Sequence, residues 1–253
     1  MTRKQHIGIL YAILFATLQL LAGCREQTPR ITSELIPVDA HWDNRADTAF
    51  IARLSPYKTQ VDSLKAIVVG RSAQAMDRQR PEDLLSNWSA DMIKYEVEQR
   101  LGRPVDFGLL NVGGIRTTLP QGNVTIGNIL SIFPFDNRLS AVTLKGSDVR
   151  ALFEIVAARG GEAVSREVRL KFSDAGITAL TINGKPVDDN REYTIATIDY
   201  LANGGDKLTP FKKSVARTDF PEVMREAIIG HFRQLTRQDK QANARIEGRV
   251  VKE

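Results

Sequence analysis

The chain has 253 residues, 42% of them hydrophobic, and a formal net charge of +5. This length suits one globular domain of up to about 200 residues with additional segments. The basic residues are scattered among acidic ones and form no long run, so the positive charge does not favour a nucleic-acid-binding protein. A single cysteine excludes a disulfide within the chain.

The N-terminus resembles a bacterial lipoprotein signal. Arg3 and Lys4 precede an apolar run over residues 7–21, and Leu-Ala-Gly-Cys follows it, ending at Cys24. The run is shorter than the roughly 20 residues that a membrane-spanning helix needs, and the small residues before the cysteine suit a signal peptidase. The sequence predicts a signal peptide over residues 1–23 and lipidation of Cys24. The mature chain would then be held at an extracytoplasmic membrane surface, in the periplasm or at the outer membrane.

A tether and a folded domain are predicted after this signal. Residues 24–54 are polar and include Pro29 and Pro37, which is typical of a tether between a lipid and a domain. The domain is predicted over residues 55–253. It opens with a helix from Ser55 and a short buried strand over residues 66–69.

A longer helix is predicted over residues 81–101. Pro81 is tolerated in a first turn, acidic residues follow it, and Gly102 can end the helix. An apolar stripe at helical spacing predicts the face that packs in the core. Its members are Leu85, Trp88, Met92 and Tyr95. Asn87 lies beside the stripe, where it could contact a ligand or serve the helix itself.

A glycine pair, an arginine and an aromatic corner lie close together in residues 111–137, after a strand predicted over residues 105–110. The paired glycines let backbone approach a ligand. The guanidinium of Arg116 presents a fork of donors to a phosphate or a carboxylate, and Phe135, after a proline, offers a ring face for stacking. Each feature alone also suits a turn, a surface charge or a core ring.

The remaining elements mix hairpins and crossovers. They are predicted as a strand over residues 139–144, a helix that Ser147 caps, strands over 168–172 and 177–182, a strand over 193–201, a helix from Asp219 to Leu235 and a strand over 244–251. Asn183 and Gly184 both accept positive φ and predict a tight turn, while Asp219 with Glu222 resembles a capping box. The pattern favours an α+β fold, a layered sandwich with mixed sheets.

Candidate metal ligands are few. His6 lies in the predicted signal peptide, His41 in the tether, and His231 on the apolar side of a helix, where we interpret it as a core histidine. A two-metal phosphoesterase needs clustered Asp, His and Asn ligands, and these 253 residues contain no Gly-Asn-His-Asp/Glu or Gly-His-x-His motif. P-loop, GxSxG and cysteine-nucleophile patterns do not occur either. The sequence therefore predicts no metal site and no catalytic residue.

Two stretches resemble the signature of one family. The first is NVGGIRTTLPQGNVTIGNILSIFPFDN, residues 111–137, and the second is ATIDYLANGGD, residues 196–206. Together they resemble the C-terminal, substrate-binding domain of the 5′-nucleotidases, the group that includes ecto-5′-nucleotidase and bacterial UDP-sugar hydrolase. The resemblance covers residues 55–251 and implies the fold of that domain.

The resemblance implies contacts to a base and to a ribose. Phe135 and Tyr200 match the two aromatic residues between which the family places the base, although the second is more often phenylalanine. Asp206 matches the carboxylate that accepts hydrogen bonds from the ribose hydroxyls. Lys207 departs from the family, where a further glycine commonly follows, and it would be strained if its φ were positive.

The resemblance also implies amide and phosphate contacts. Asn111 and Asn137 match amide positions near the base. Arg116 matches an arginine that holds phosphate. We assign the second phosphate arginine to Arg80, although its spacing to Asn87 differs from that in the family.

Full-length family members carry the metal ligands in an N-terminal metallophosphatase domain, for which these residues show no counterpart. We therefore expect a nucleotide-binding component that binds no cofactor itself. It would act in nucleotide hydrolysis with a separate metallophosphatase that holds divalent metals. One alternative is a lipoprotein that binds nucleotides or nucleosides without catalysis. Another is a structural surface lipoprotein with a vestigial pocket.

Overall fold

The computed structural model describes Gly8, residues 32–40 and residues 47–253. The chain divides into two compact units, Met1–Arg53 and Leu54–Glu253. The predicted lipidation site, Cys24, lies outside the described residues, as does the predicted signal peptide except for Gly8. No helix of the described ranges has the length and apolar character needed to cross a membrane.

The described chain alternates helices and strands. In order they are α1 (Thr48–Lys65), β1 (Val68–Ser72), α2 (Leu84–Leu101), β2 (Phe107–Leu110), a 3-10 turn (Val112–Gly114), β3 (Gly122–Thr125), α3 (Ile126–Ile132), β4 (Arg138–Lys145), α4 (Gly146–Ala158), β5 (Ala163–Val164), β6 (Val168–Ser173), β7 (Gly176–Ile182), β8 (Lys185–Pro186), β9 (Glu192–Ile198), α5 (Asp199–Ala202), 3-10 turns at Gly205–Lys207 and Thr209–Lys213, β10 (Ala216–Val223), α6 (Met224–Arg237) and β11 (Val250–Lys252).

Helix α1 begins at Thr48, earlier than the sequence predicted from Ser55. Asp47 accounts for the earlier start, because its Oδ1 accepts hydrogen bonds of 3.0 Å from the backbone N–H groups of Ala49 and Phe50. The last part of the predicted tether is therefore helical. None of the residues of α1 is buried.

Helix α2 ends where the sequence predicted and begins slightly later. Gly102 ends it in the left-handed region, at φ 70°. Asp83 occupies the N-cap position, so Pro81 precedes the helix rather than lying in its first turn. The predicted stripe is confirmed as core at Leu85, Trp88 and Met92, which are all buried.

A mixed five-stranded sheet forms the centre of the second unit. Its strand order is β10-β4-β9-β2-β5, with β2 parallel to β9 and the other neighbours antiparallel. A second sheet has the order β11-β6-β7-β8, and β1 pairs with β3. In the second sheet, the turn at Asn183 and Gly184 is confirmed, with φ values of 53° and 73°.

Helices α2 and α4 pack on opposite faces of the five-stranded sheet. Side chains of consecutive strand residues point to opposite faces. Phe107 of β2 packs against Phe153 of α4, with ring centroids 5.5 Å apart. The next residue, Gly108, approaches α2 so closely that an added Cβ would lie 2.5 Å from the carbonyl oxygen of Ala90. Helix α4 also contacts β6 and β7 of the second sheet. The layered α+β prediction is therefore confirmed.

Two further predicted helix starts are wrong. Lys145, not Ser147, occupies the N-cap position of α4. Asp219 lies within β10 and does not open a helix, because this strand pairs with β4 and places Asp219 opposite Ser140. The Ser140 hydroxyl donates a 2.6 Å hydrogen bond to Asp219 Oδ1. Tertiary pairing thus overrides the local capping pattern, and α6 begins only at Met224.

Two predicted strands are too long. Strand β9 ends at Ile198, and the chain then forms the short helix α5, so Tyr200 lies on a helical turn. The strand predicted over residues 244–251 is reduced to β11, Val250–Lys252. The first of these corrections matters for the site, because Tyr200 lies on α5 and not in the sheet, and its side chain is accessible.

Candidate functional site

One cavity, of about 470 Å³, brings together all seven residues that the sequence predicted to contact a nucleotide. Its lining consists of Arg80, Asn111, Gly113, Gly114, Arg116, Phe135, Asn137, Arg159, Tyr200 and Asp206. The volume lies within the range of about 300–1,000 Å³ that is usual for small-molecule sites.

The topology of the five-stranded sheet explains why these residues meet. Strands β2 and β9 are parallel neighbours and β4 runs antiparallel to β9, so the ends of β2 and β9 and the start of β4 lie at the same edge. Asn111 follows β2, Asn137 precedes β4, and Tyr200 follows β9. Loops that are distant in sequence therefore converge on one cavity.

The two predicted stacking rings are both accessible. Phe135 is 46% exposed and Tyr200 is 43% exposed, whereas aromatic side chains mostly lie inside proteins. Phe133, two residues before Phe135, is 1% exposed and belongs to the core. The aromatic corner therefore anchors one ring in the core and leaves the other at the cavity.

Asp206 is the centre of a hydrogen-bond network. Its Oδ2 accepts from Asn111 Nδ2 at 2.8 Å and from an Nη2 N–H of Arg159 at 3.1 Å. Its Oδ1 accepts from the hydroxyl of Tyr200 at 2.9 Å. Asp206 and Lys207 both have positive φ, 52° and 64°, so Lys207 does adopt the conformation that the sequence analysis identified as strained.

A buried carboxylate, that of Glu162, lies behind the cavity and holds two of its arginines. Its Oε1 accepts hydrogen bonds of 2.7 Å from Arg80 Nη2 and from Arg159 Nε. Its Oε2 accepts from the backbone N–H of Val112 at 2.6 Å. The hydrogen bond to Glu162 is also the main reason why the pKa of the Arg159 guanidinium lies above its ordinary value. We call these four residues the cavity wall.

Arg116 is held more loosely than the arginines of the cavity wall. Among the described residues, its side chain makes one hydrogen bond, from Nη1 to the carbonyl oxygen of Gly113 at 3.0 Å. The Arg116 residue is exposed. Most of its donors can therefore turn to an anion in the cavity.

Arg159 and Glu162 were not among the residues predicted from the sequence. Arg159 follows the last residue of α4 and Glu162 follows a glycine pair, and that pair indicated only the end of a helix. Both are ordinary charged residues near a turn, and their role depends on contacts with Arg80 and Asp206, which are distant in sequence. Opposite charges on both sides of the glycine pair were the available signal.

Asn87, whose role the sequence left open, is structural. It is buried, and its Nδ2 donates to Glu82 Oε1 at 2.6 Å and to the carbonyl oxygen of Arg245 at 2.8 Å. It does not line the cavity. Asn111 and Asn137 do line the cavity, so they remain the amide candidates.

His231 is packed and partnered. Its Nδ1 lies 3.0 Å from Glu96 Oε1, and its ring makes edge contacts with Trp88 and Tyr95. This agrees with its interpretation as a core histidine. His6 and His41 lie outside the described residues. Within the described ranges, no group of three or more His, Cys, Asp and Glu residues is arranged to hold a metal ion.

The cavity combines cationic donors, one carboxylate and exposed ring faces. Guanidinium groups suit phosphate or carboxylate, a carboxylate suits hydroxyl donors, and exposed rings suit a flat heterocycle. The fold and the cavity therefore define an α+β domain with a cavity whose groups suit a planar molecule that carries hydroxyl and anionic groups.

The chain belongs to the family described as 5′-nucleotidase, C-terminal domain, whose model matches residues 63–213. It is 29% identical over 195 residues to the protein UshA of Yersinia enterocolitica, covering 73% of this chain and 35% of that protein. It is 23% identical over 250 residues to the trifunctional nucleotide phosphoesterase protein YfkN of Bacillus subtilis, covering 88% of this chain and 16% of that protein. The chain thus spans about a third or less of the length of these relatives.

Solved structures show the same fold. A 5′-nucleotidase precursor from Thermus thermophilus matches with a TM-score of 0.70 and 24% identity, covering 83% of this chain and 43% of that one. The NAD nucleotidase NadN of Haemophilus influenzae matches with a TM-score of 0.61 and 20% identity, covering 93% of this chain and 44% of that one.

Proposed function

We propose that this chain binds the base, ribose and phosphate of a nucleotide in the cavity described above. The observation that carries the proposal is that Phe135, Tyr200, Asp206 and Arg116, which are scattered along the sequence, line one cavity. They supply two ring faces, a carboxylate that can accept hydrogen bonds from hydroxyl groups, and a guanidinium that can donate hydrogen bonds to an anion. A nucleotide carries the matching partners in one molecule: a flat base, sugar hydroxyls and an anionic phosphate.

The base would stack on Phe135 and Tyr200, and Asn111 and Asn137 would lie near its edge. Both rings are partly exposed in the absence of a ligand, so stacking needs no core residue to move out. Such stacking contributes about 1–3 kcal/mol per base and tolerates different bases. The proposal therefore specifies a nucleotide, not a particular base.

The phosphate would be held by Arg116 and Arg80. Arg80 already donates to Glu162 and to the carbonyl oxygen of Gly161, which fixes its position but uses part of its donor capacity. Arg116 is freer. We therefore expect Arg116 to make the larger contribution to phosphate binding.

We propose that hydrolysis is performed together with a separate metallophosphatase. The cavity offers groups that bind and orient a nucleotide, whereas phosphoester hydrolysis in two-metal enzymes requires metal-bound water and a metal clamp on the reacting oxygens. The partner would hold these divalent metals and this chain none. Its binding groups would position the nucleotide at the partner's metal centre.

Lipidation of Cys24 is part of the same proposal. A lipid anchor would hold the chain at an extracytoplasmic membrane surface, in the periplasm or at the outer membrane. A partner at the same surface would then act at a raised effective concentration. Mass spectrometry of the mature protein from native membranes tests this step, and an unmodified Cys24 would contradict it.

Binding without catalysis is the second candidate. The observation that favours it is the network of Asp206, in which the protein's own groups hold the carboxylate in position without any partner. A third candidate, the structural lipoprotein with a vestigial pocket, predicts no ligand.

Calorimetric titration of the chain with AMP, adenosine and a UDP-sugar tests the proposal. We expect AMP to bind more tightly than adenosine, because only AMP engages the arginines. Absence of binding by all three ligands would support the vestigial pocket. Equal affinity for AMP and adenosine would contradict the phosphate site but not the base site.

A hydrolysis assay separates the first two candidates. Phosphate release from AMP is measured with divalent metal for the chain alone, for a candidate metallophosphatase from the same membranes, and for both together. We expect turnover to rise only in the mixture. Hydrolysis by the purified chain alone would contradict the two-component proposal, and a mixture no faster than the phosphatase alone would favour binding without catalysis.

A further inference from the structure

The carboxylate of Asp206 is almost fully occupied by groups of the protein itself. A carboxylate has two oxygens with about four acceptor positions in total. Oδ2 accepts from both Asn111 and Arg159, which fills its two positions. Oδ1 accepts from the hydroxyl of Tyr200, which leaves one position free.

The hydroxyl of Tyr200 makes two hydrogen bonds to Asp206, in the loop that follows α5. It donates to Asp206 Oδ1 at 2.9 Å and accepts from the backbone N–H of Asp206 at 3.1 Å. The loop also packs against the ring, since a Cβ added at Gly205 would lie 2.6 Å from ring carbons of Tyr200. Tyr200 therefore fixes both the carboxylate and its backbone.

We infer that Asp206 accepts only one of the two ribose hydroxyls, and that the hydroxyl of Tyr200 sets this limit. The inference rests on the proposed function. It identifies Tyr200 as a specificity-determining residue through its hydroxyl, in addition to its ring. The inferred ligand is a nucleoside monophosphate. One of its 2′- and 3′-hydroxyls is needed for the hydrogen bond to Asp206, and an analogue that lacks the other hydroxyl binds as well.

Arg159 keeps the second oxygen of Asp206, Oδ2, from accepting a ribose hydroxyl. Arg159 is held by Glu162 at its Nε, and its Nη1 donates to the carbonyl oxygen of Asp206 at 3.0 Å. Its Nη2 therefore cannot leave Oδ2 without disturbing the buried carboxylate. The free acceptor position therefore lies on Oδ1, the oxygen that also accepts from the Tyr200 hydroxyl.

The experiment compares three ligands by calorimetry: AMP, 2′-deoxy-AMP and 3′-deoxy-AMP. For the native chain, we expect one deoxy analogue to bind about ten-fold more weakly than AMP and the other to bind within about two-fold. For Tyr200→Phe, which keeps the ring, both positions on Oδ1 become free. We expect both analogues then to bind about ten-fold more weakly than AMP. Only the ratios to AMP carry the test, so a general change in affinity does not affect it.

Tyr57→Phe is the matched control, because Tyr57 is an exposed tyrosine of α1 outside the cavity. It should give the ratios of the native chain. Equal weakening of both analogues in the native chain would overturn the inference even if Tyr200→Phe did not fold. Ratios that are the same in Tyr200→Phe and the native chain would also overturn it. Absence of AMP binding by the native chain would instead overturn the proposed function.

Discussion

Arg159 joins two carboxylates that lie in very different surroundings. Glu162 is 1% exposed, and the donors to it are two arginines and a backbone N–H. Asp206 lines the cavity, and its side chain is 23% exposed. The first carboxylate is part of the cavity wall, while the second lines the cavity with one acceptor position left free by the protein's own donors. The same kind of ion pair thus stabilises the fold at one end of Arg159 and forms the site at the other.

The comparison predicts that changes in the cavity wall lower stability, whereas changes at the exposed residues around the cavity lower binding alone. We call the exposed residues Phe135 and Arg116 the cavity rim. Tyr200 is not included, because its hydroxyl is hydrogen-bonded to the side chain and the backbone of Asp206. The rim residues make few contacts that the fold requires. The wall residues are linked through Glu162, so removing it affects all of them at once.

Glu162→Ala should have the largest effect. It leaves Arg80 and Arg159 without their shared carboxylate and the buried N–H of Val112 without an acceptor. Loss of one partner of a buried ion pair costs about 3–5 kcal/mol, and the partial exposure of both arginines favours the lower end, about 3 kcal/mol. Urea unfolding measures the change. Glu154→Ala, at an exposed position of α4, is the control, and a similar small loss in both variants would refute the structural role of the wall.

Arg116→Ala should lower binding of AMP without lowering stability. A hydrogen bond to a charged group contributes about 1.5–3 kcal/mol, so we expect AMP affinity to fall by that amount and adenosine affinity to stay unchanged. Calorimetry with both ligands measures the difference. Arg103→Ala, an exposed arginine outside the cavity, should leave both affinities unchanged. Equal losses for AMP and adenosine would show that Arg116 does not act on the phosphate.

Phe135→Ala should weaken AMP and adenosine equally. The ring stacks on the base, which both ligands share, and the expected loss is about 1–3 kcal/mol. Unfolding stability should change little, because the side chain is nearly half exposed. The control is Phe50→Ala, another exposed phenylalanine. A loss of stability with no loss of affinity would place Phe135 in the fold and not in the site.

The sequence was informative where chemistry is local or a family motif is present. The hairpin turn at Asn183, the packed stripe of α2 and the end of that helix at Gly102 follow from local propensity and periodicity. Periodicity does not distinguish Phe133 from Phe135, although one is core and the other lines the cavity. The family resemblance, not residue patterns, directed attention to Phe135.

Contacts between distant segments account for what the sequence did not predict. Asp219 has the local pattern of a helix cap, yet pairing of β10 with β4 extends the strand through it. The end of β9 at Ile198 depends on where its partner β4 begins. Glu162 is recognisable only when Arg80, far away in the sequence, is placed beside it. Each of these three features is a property of the packed chain.

Glu96→Gln changes a carboxylate outside the cavity and should have the smallest effect on stability. It tests whether a carboxylate with structural contacts alone affects stability and not binding. Glu96 is buried on α2 and bonds to His231 and Arg100, with Arg100 Nη1 at 2.6 Å. Burial alone would raise its pKa, but the hydrogen bonds from His231 and Arg100 together outweigh burial, and the pKa of Glu96 is lowered.

A carboxyl whose pKa is lowered in the folded state contributes stability above its unfolded-state pKa, about 4.3, and loses that contribution as pH falls through the folded-state pKa. Glu96→Gln should therefore lower stability by about 1 kcal/mol at pH 7, with the difference from the native chain shrinking as the solution is acidified. AMP affinity should not change. Glu192→Gln, at an exposed position, serves as the control. If the difference between Glu96→Gln and the native chain were constant from pH 7 to pH 3, ionisation of Glu96 would not be the source of the stability, and the separation of fold-stabilising and ligand-binding carboxylates would have to be drawn elsewhere.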